Sequence, residues 1–285
     1  MKRSRALLFL IPALLLAGLL VYSLTRAAMI LIPQQREQEA FAELKRSALA
    51  EADAAPGVPL PPSPSAAPTG GADADLESVP GQDPAPPPAP SPTAAVYPFA
   101  PLHARNGDFV GWLSAADTVL DYPVMQSAES DPEYYLHRNF YGAYSDSGCL
   151  FIGALCDADS DAFIIYGHNM NNGTMFGSLD RYEDEAYARA HAELRLSMPD
   201  GERVYRVFAA FQTRVYAERE QVFKYYEAVG ALDAERYAET VSCIRAMSIP
   251  QLPWAPEYPA QLLYLSTCSY HTAEGRFVVA AYRVA

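Results

Sequence analysis

The chain has 285 residues and half of them are apolar, so it can bury a sizeable core. Its formal net charge is −13 at pH 7, which offers no basic face for nucleic acid and no broad attraction to an anionic membrane surface. Four cysteines without a CxxC pair are too few and too irregular for a disulfide framework or a structural zinc site.

Residues 1–5 carry Lys2, Arg3 and Arg5, and residues 6–24 carry no charge. A run of that length suits a bilayer core, and the flanking cations keep the N-terminus in the cytoplasm. The reading is a basic cytoplasmic N-terminus (1–5) followed by a transmembrane signal anchor (6–25), which places the rest of the chain outside the cell. A cleaved signal peptide, cut near Ala27 and Ala28, is the competing reading, but its apolar region is usually shorter. Residues 26–50 have helix-forming composition, with Pro33 suited to a first turn and a weak apolar stripe through Phe41, Leu44 and Leu49. They predict a helical stalk. Residues 51–96 hold most of the prolines and almost no large apolar side chains, so they predict a disordered Pro/Ala-rich linker acting as a spacer.

Residues 97–285 have the size of one domain. Short apolar runs bounded by Gly, Asn, Asp or Pro recur at 109–113, 118–124, 149–152, 162–166, 193–197, 203–212, 261–267 and 276–284. These predict strands. Residues 181–192 and 233–247 predict helices, the second through a face shared by Tyr237, Val241 and Ile244. Many strands with a few inserted helices predict a mainly β fold, a closed or nearly closed barrel.

The chemistry narrows among the thiols. Cys149 sits in an apolar strand entry and Cys243 on the apolar side of a predicted helix, so both read as packing residues. Cys156 lies in a polar turn, and spacing does not establish whether it pairs with Cys149. Cys268 ends the strand-like run QLLYLST and begins a polar loop, where a thiol can face a cleft on a rigid base. His168 stands just past the run FIIY, beside Gly167 and Asn169, as a loop residue would. Arg276 opens the last run, and seven residues separate it from Cys268. A hairpin between those two runs brings thiol and guanidinium to one end of the sheet. Thiol, imidazole and cation then form an acyl-transfer set: Cys268 as nucleophile, His168 as general acid and base, Arg276 as oxyanion donor.

Several segments together resemble the sortases, and most closely class B sortases of Gram-positive bacteria. They are residues 164–176 around Tyr166-Gly167-His168-Asn169-Met170, the Leu265-Ser266-Thr267-Cys268 box, the Arg276 start of the last strand, residues 106–112, residues 121–126 and Glu133-Tyr134-Tyr135-Leu136. The resemblance covers residues 97–285. The chain departs from the family's pattern at Tyr264, at Glu129-Ser130-Asp131-Pro132 and at Gly153.

The resemblance implies a sortase-like β-barrel cysteine transpeptidase at the outer face of the cell membrane, without metal or organic cofactor. Such enzymes cleave a C-terminal sorting signal of a secreted protein after a threonine. They hold the acyl group as a thioester and pass it to an amine of a peptidoglycan precursor or of a pilin-like protein. The residues carried over are His168, Cys268 and Arg276. Tyr135, Leu136, Ser266 and Thr267 are candidates for substrate contact. Two alternatives remain open at this point: a cysteine endopeptidase that uses water as acceptor, and a non-catalytic peptide-binding surface domain.

Overall fold

The structure is a computed structural model of the chain, and it describes residues 2–54, 97–128, 130–269 and 272–285. A first helix, α1, runs unbroken over Lys2–Ala54. Its N-terminal part is long and apolar enough to cross a membrane, and Leu16, Leu19, Leu20, Val21, Tyr22 and Leu24 all stand exposed. The helix continues four residues past the expected end of the stalk; the remainder of the expected linker lies outside the described residues.

The C-terminal half of α1 is docked on the barrel. Phe41, Leu44 and Ala48 are buried, a spacing of three and four that keeps them on one helical face. Leu49, expected on that stripe, is exposed instead, because it stands about 100° further round than Ala48. Phe41 packs edge-on against Tyr122 at 5.5 Å, whose hydroxyl donates to Gln38 Oε1 at 3.0 Å. Lys45 Nζ meets Asp121 Oδ1 at 2.6 Å. A short helix, α2 (Ala100–Arg105), returns the chain to the same place: Arg105 donates to Ser47 Oγ at 3.1 Å and pairs with Glu51.

Eight strands follow: β1 (Phe109–Ser114), β2 (Asp121–Met125), β3 (Leu150–Ile152), β4 (Ala162–Tyr166), β5 (Glu193–Met198), β6 (Gly201–Arg214), β7 (Leu262–Cys268) and β8 (Gly275–Arg283). They close into a barrel in the order β1-β2-β3-β4-β7-β8-β6-β5. The pairs β2/β3 and β4/β7 are parallel and the other paired strands antiparallel. Each expected strand is present. The run at 118–124 begins later than expected, because Asp117 adopts φ 58° and Thr118 Oγ1 caps the Ala115 carbonyl in a turn. The helix expected at 181–192 is split. A 3-10 turn, Leu179–Glu183, ends at Asp184, whose side chain accepts from Tyr187 N and starts α3 (Glu185–Ala190).

Alternating residues along the central strands serve two cores, as a period of two requires. Phe163, Ile165, Leu263, Leu265 and Val279 fill the barrel interior. Ile164, Tyr264, Phe208 and Val278 face outward into a second layer, covered by Tyr225 and by Tyr237, Val241 and Ile244 of α4 (Ala234–Met247). Ile244 is fully buried, a contribution of about 2 kcal/mol. Asp233 caps α4 by accepting from Arg236 N at 2.8 Å. With both faces covered, β7 is buried from Leu262 to Thr267 and emerges only at Cys268.

Candidate active site

The register of three neighbouring strands assembles the site. In β4 and β7, which run parallel, Tyr166 lies beside Ser266, and Gly167 N donates to the Ser266 carbonyl at 3.2 Å. The next residues out, His168 and Cys268, therefore leave the barrel at the same end of adjacent strands. In β7 and β8, Cys268 lies directly opposite Arg276. Adjacent strands sit about 4.8 Å apart, so thiol, imidazole and guanidinium come from three consecutive positions across one barrel rim. Directly paired residues share a face, and for Cys268 and Arg276 it is the outward one of Tyr264 and Val278. The site opens where the second core layer runs out.

All three residues line one cavity of about 560 Å³, with Leu136, Ser266 and Thr267 also in its wall. Cys268 is exposed there. Asn169 Nδ2 donates to the Cys268 carbonyl at 2.8 Å and ties the His168 turn to the end of β7. Arg276 is half-buried and donates to its neighbour's carbonyl, Gly275 O, at 3.0 Å. Tyr225, from the segment before α4, bonds Ser266 Oγ at 2.8 Å. Burial pushes its phenol up to about 12, so it stays neutral. Thr267 is buried on the cavity wall, and its Oγ1 has no hydrogen-bond partner among the described residues.

His168 has a defined tautomer. Its Nε2 lies 2.8 Å from the Leu136 carbonyl oxygen, which can only accept. Nε2 therefore carries the proton, and Nδ1 is bare in the neutral ring. Burial holds the imidazole below its usual value of 6.5; the Leu136 carbonyl opposes that shift, and the His137 ring, centred 5.1 Å away, adds to it. Because the fold favours the neutral ring, this contribution to stability is complete above the unfolded value of 6.5 and is lost as the pH falls below it. The stability advantage of the native chain over a His168→Gln variant should therefore shrink between pH 7.5 and 5. Parallel thermal unfolding series would show this, and a pH-independent difference would contradict it.

The substrate-contact candidates separate. Leu136, Ser266 and Thr267 line the cavity. Tyr135 does not: it is buried, with its hydroxyl held by Asn106 Nδ2 and Asp108 Oδ2, both at 2.9 Å. In the short 3-10 turn Tyr134–His137, consecutive side chains point in different directions, so Tyr135 faces the core and Leu136 the cavity. Among the other thiols, Cys149 is buried, and Cys243 is half-buried rather than fully packed. Cys156 lines the cavity, its thiol pushed up by burial, and all four cysteines are free. Sequence reading missed Tyr225 and Asn169 as parts of the site. Asn169 adjoins His168 and could have been found on that ground; nothing around Tyr225 signals its long-range partner.

Comparisons agree with this architecture. The family description "Sortase domain" matches residues 117–284. The chain belongs to the sortase family. Within it, the relatives are sortase B proteins: one from Listeria monocytogenes is 35% identical over 117 residues, covering 39% of this chain and 46% of that protein. One from Staphylococcus aureus is 29% identical over 118 residues, covering 40% and 47%. The matched part thus spans about half the length of these curated relatives. The crystal structure of sortase B from B. anthracis in complex with AAEK1 superposes with a TM-score of 0.55 at 30% identity, covering 66% of this chain and 84% of that one. That of Clostridium perfringens sortase B gives 0.56 at 25% identity, covering 65% and 98%.

Proposed function

We propose that this chain is a membrane-anchored extracytoplasmic cysteine transpeptidase that cleaves a sorting signal in secreted proteins and transfers the acyl group to an amine. The observation that carries the reading is the convergence of Cys268, His168 and Arg276 from three adjacent strands on one cavity. Cys268 gives its thiol proton to His168 Nδ1 as its sulfur attacks the scissile carbonyl carbon and forms the C–S bond. Arg276 donates to the oxyanion that develops. The C–N bond then breaks, and the leaving amine takes a proton from His168. In the second half an acceptor amine attacks the thioester carbon and gives a proton back to His168, and the Cys268 sulfur leaves. Since Nε2–H is committed to Leu136, Nδ1 is the atom that carries the travelling proton. The stretch of cavity wall formed by Leu136, Ser266 and Thr267 is offered to the bound peptide. The apolar start of α1 supports anchoring with the barrel outside the cell, and the acceptor would be an amine of a cell-wall precursor or of a pilin-like protein.

The test is intact-mass measurement of the full chain in detergent after incubation with short peptides bearing sorting-type motifs. A gain equal to the acyl half of one peptide, discharged by an added amine to give the amide product, is the expected result. Discharge by water alone, unchanged by amines, would make the protein an endopeptidase. No adduct with any peptide, from a chain whose Cys268 alkylates readily, would favour a peptide-binding domain.

A further inference from the structure

The Leu136 carbonyl that fixes the His168 tautomer is itself held from outside. Residues 145–149 bracket it: Ser145 N donates to the His137 carbonyl at 3.1 Å, and Cys149 N to the Tyr135 carbonyl at 3.0 Å. Ser145 Oγ accepts from Gly148 N at 3.1 Å, closing the turn. Ser145 and Ser147 are almost fully buried, so their hydroxyls need partners. Both find the same one. Ser145 Oγ donates to Glu37 Oε1 at 2.7 Å, and Ser147 Oγ donates to Glu37 Oε2. Glu37 belongs to α1 and lies more than a hundred positions earlier in the chain.

A carboxylate with one oxygen on each of two buried hydroxyls is a strong, directional clamp. It is not what keeps α1 in place, since Phe41, Leu44, Ala48 and the Lys45–Asp121 pair dock the helix independently. Its effect falls on the turn that carries Leu136. We propose that Glu37 is a positioning residue of the active site: by clamping Ser145 and Ser147 it holds the Leu136 carbonyl against His168 Nε2–H, so α1 completes the catalytic geometry. The proposal rests on the transpeptidase reading for its catalytic consequence, but its structural core does not.

Other groups bear on the same atoms and must stay constant in the test. His168 is faced by His137, Asp146, Glu133, Cys268 and Arg276. Glu37 is also near Tyr144 and Cys149.

The experiment uses the full chain in detergent micelles with ring-¹⁵N histidine, comparing the native chain with Glu37→Ala, Glu37→Gln and Lys45→Met. The native chain should show His168 as the Nε2–H tautomer. Glu37→Ala should mix the tautomers and lower the midpoint of the His168 titration, because a bond favouring the protonated ring is loosened. Glu37→Gln keeps the volume and one acceptor oxygen and should fall between. Lys45→Met breaks a docking contact remote from Leu136 and should leave the His168 signals alone. In peptide turnover Glu37→Ala should lower kcat about 10- to 100-fold with a smaller change in KM, the cost of a misaligned catalytic group. Unchanged tautomer and kcat in Glu37→Ala would overturn the proposal, as would equal effects from Lys45→Met. If the native chain forms no thioester, the function proposed above fails, while the histidine spectra still decide whether Glu37 holds the ring.

Discussion

Replacing Cys268 by alanine is expected to leave a folded chain that never acquires the acyl half of a sorting-type peptide. Cys268 is the exposed thiol at the rim where His168 and Arg276 converge. The other thiol in the cavity wall, Cys156, is spoken for. Its sulfur accepts from Ile164 N at 3.5 Å and contacts the Gly153 carbonyl at 3.7 Å, and burial disfavours its thiolate. Ile164 lies two strand positions before Tyr166, so Cys156 sits deeper than the reacting centre. Turnover should fall by on the order of 10³ or more. Cys268→Ser should lose nearly as much, since a hydroxyl holds its proton more tightly than a thiol and the partners are arranged for a soft nucleophile. Neither change removes core packing, so melting temperatures should barely move. Intact mass and turnover check this together. A peptide adduct on Cys268→Ala would transfer the nucleophile's role to Cys156.

The second large effect is expected at Gly148. Its φ of +58° lies in the left-handed region, and a Cβ there would stand 2.3 Å from the Leu136 oxygen and 2.5 Å from the Tyr135 oxygen. Both are backbone atoms that no rotamer change can move. Gly148→Ala carries a backbone cost of about 1–2 kcal/mol and must also push the Tyr135–Leu136 turn aside. Together these should exceed about 3 kcal/mol, a fall in Tm of roughly 6–12 °C for a domain of this size. Because the displaced oxygen is the one that fixes His168, turnover should drop even below the new melting point. Gly173 offers the contrast: its φ is +78° but nothing lies near its would-be Cβ, so Gly173→Ala should show the backbone cost alone. Thermal unfolding of the two variants side by side would decide it, and equal losses would refute the steric argument.

Sequence alone made the barrel legible because each strand is a short apolar run between turn formers, a local signal. Cys268, His168 and Arg276 could be named as candidates for a related reason: each stands at the edge of such a run, where a side chain can leave the sheet. What stayed hidden depends on contacts between distant segments. Tyr135 and Leu136 are neighbours in the chain, yet one serves the core and the other the cavity, and only the turn's placement on the barrel separates them. Glu37 reads as an ordinary stalk charge until Ser145 and Ser147 are seen against it. The apolar stripe expected on α1 holds at Phe41 and Leu44 and fails at Leu49, since Ala48 is too small to announce a buried face whereas Leu49 announces one it does not join.

The docking of α1 changes what the residues between it and the barrel can determine. Arg105 meets Ser47 and Glu51, so the chain leaves α1 and comes back to it. The separation of the helix from the barrel is therefore fixed by these contacts and not by the number of residues between them in the chain. The distance from Leu24 to the barrel is set instead by helical rise, about 1.5 Å per residue, or roughly 20 Å up to Glu37. Lengthening the proline-rich stretch would leave that distance unchanged. Inserting or deleting one residue between Leu24 and Glu37 would turn the apolar start of the helix by about 100° relative to the active-site rim.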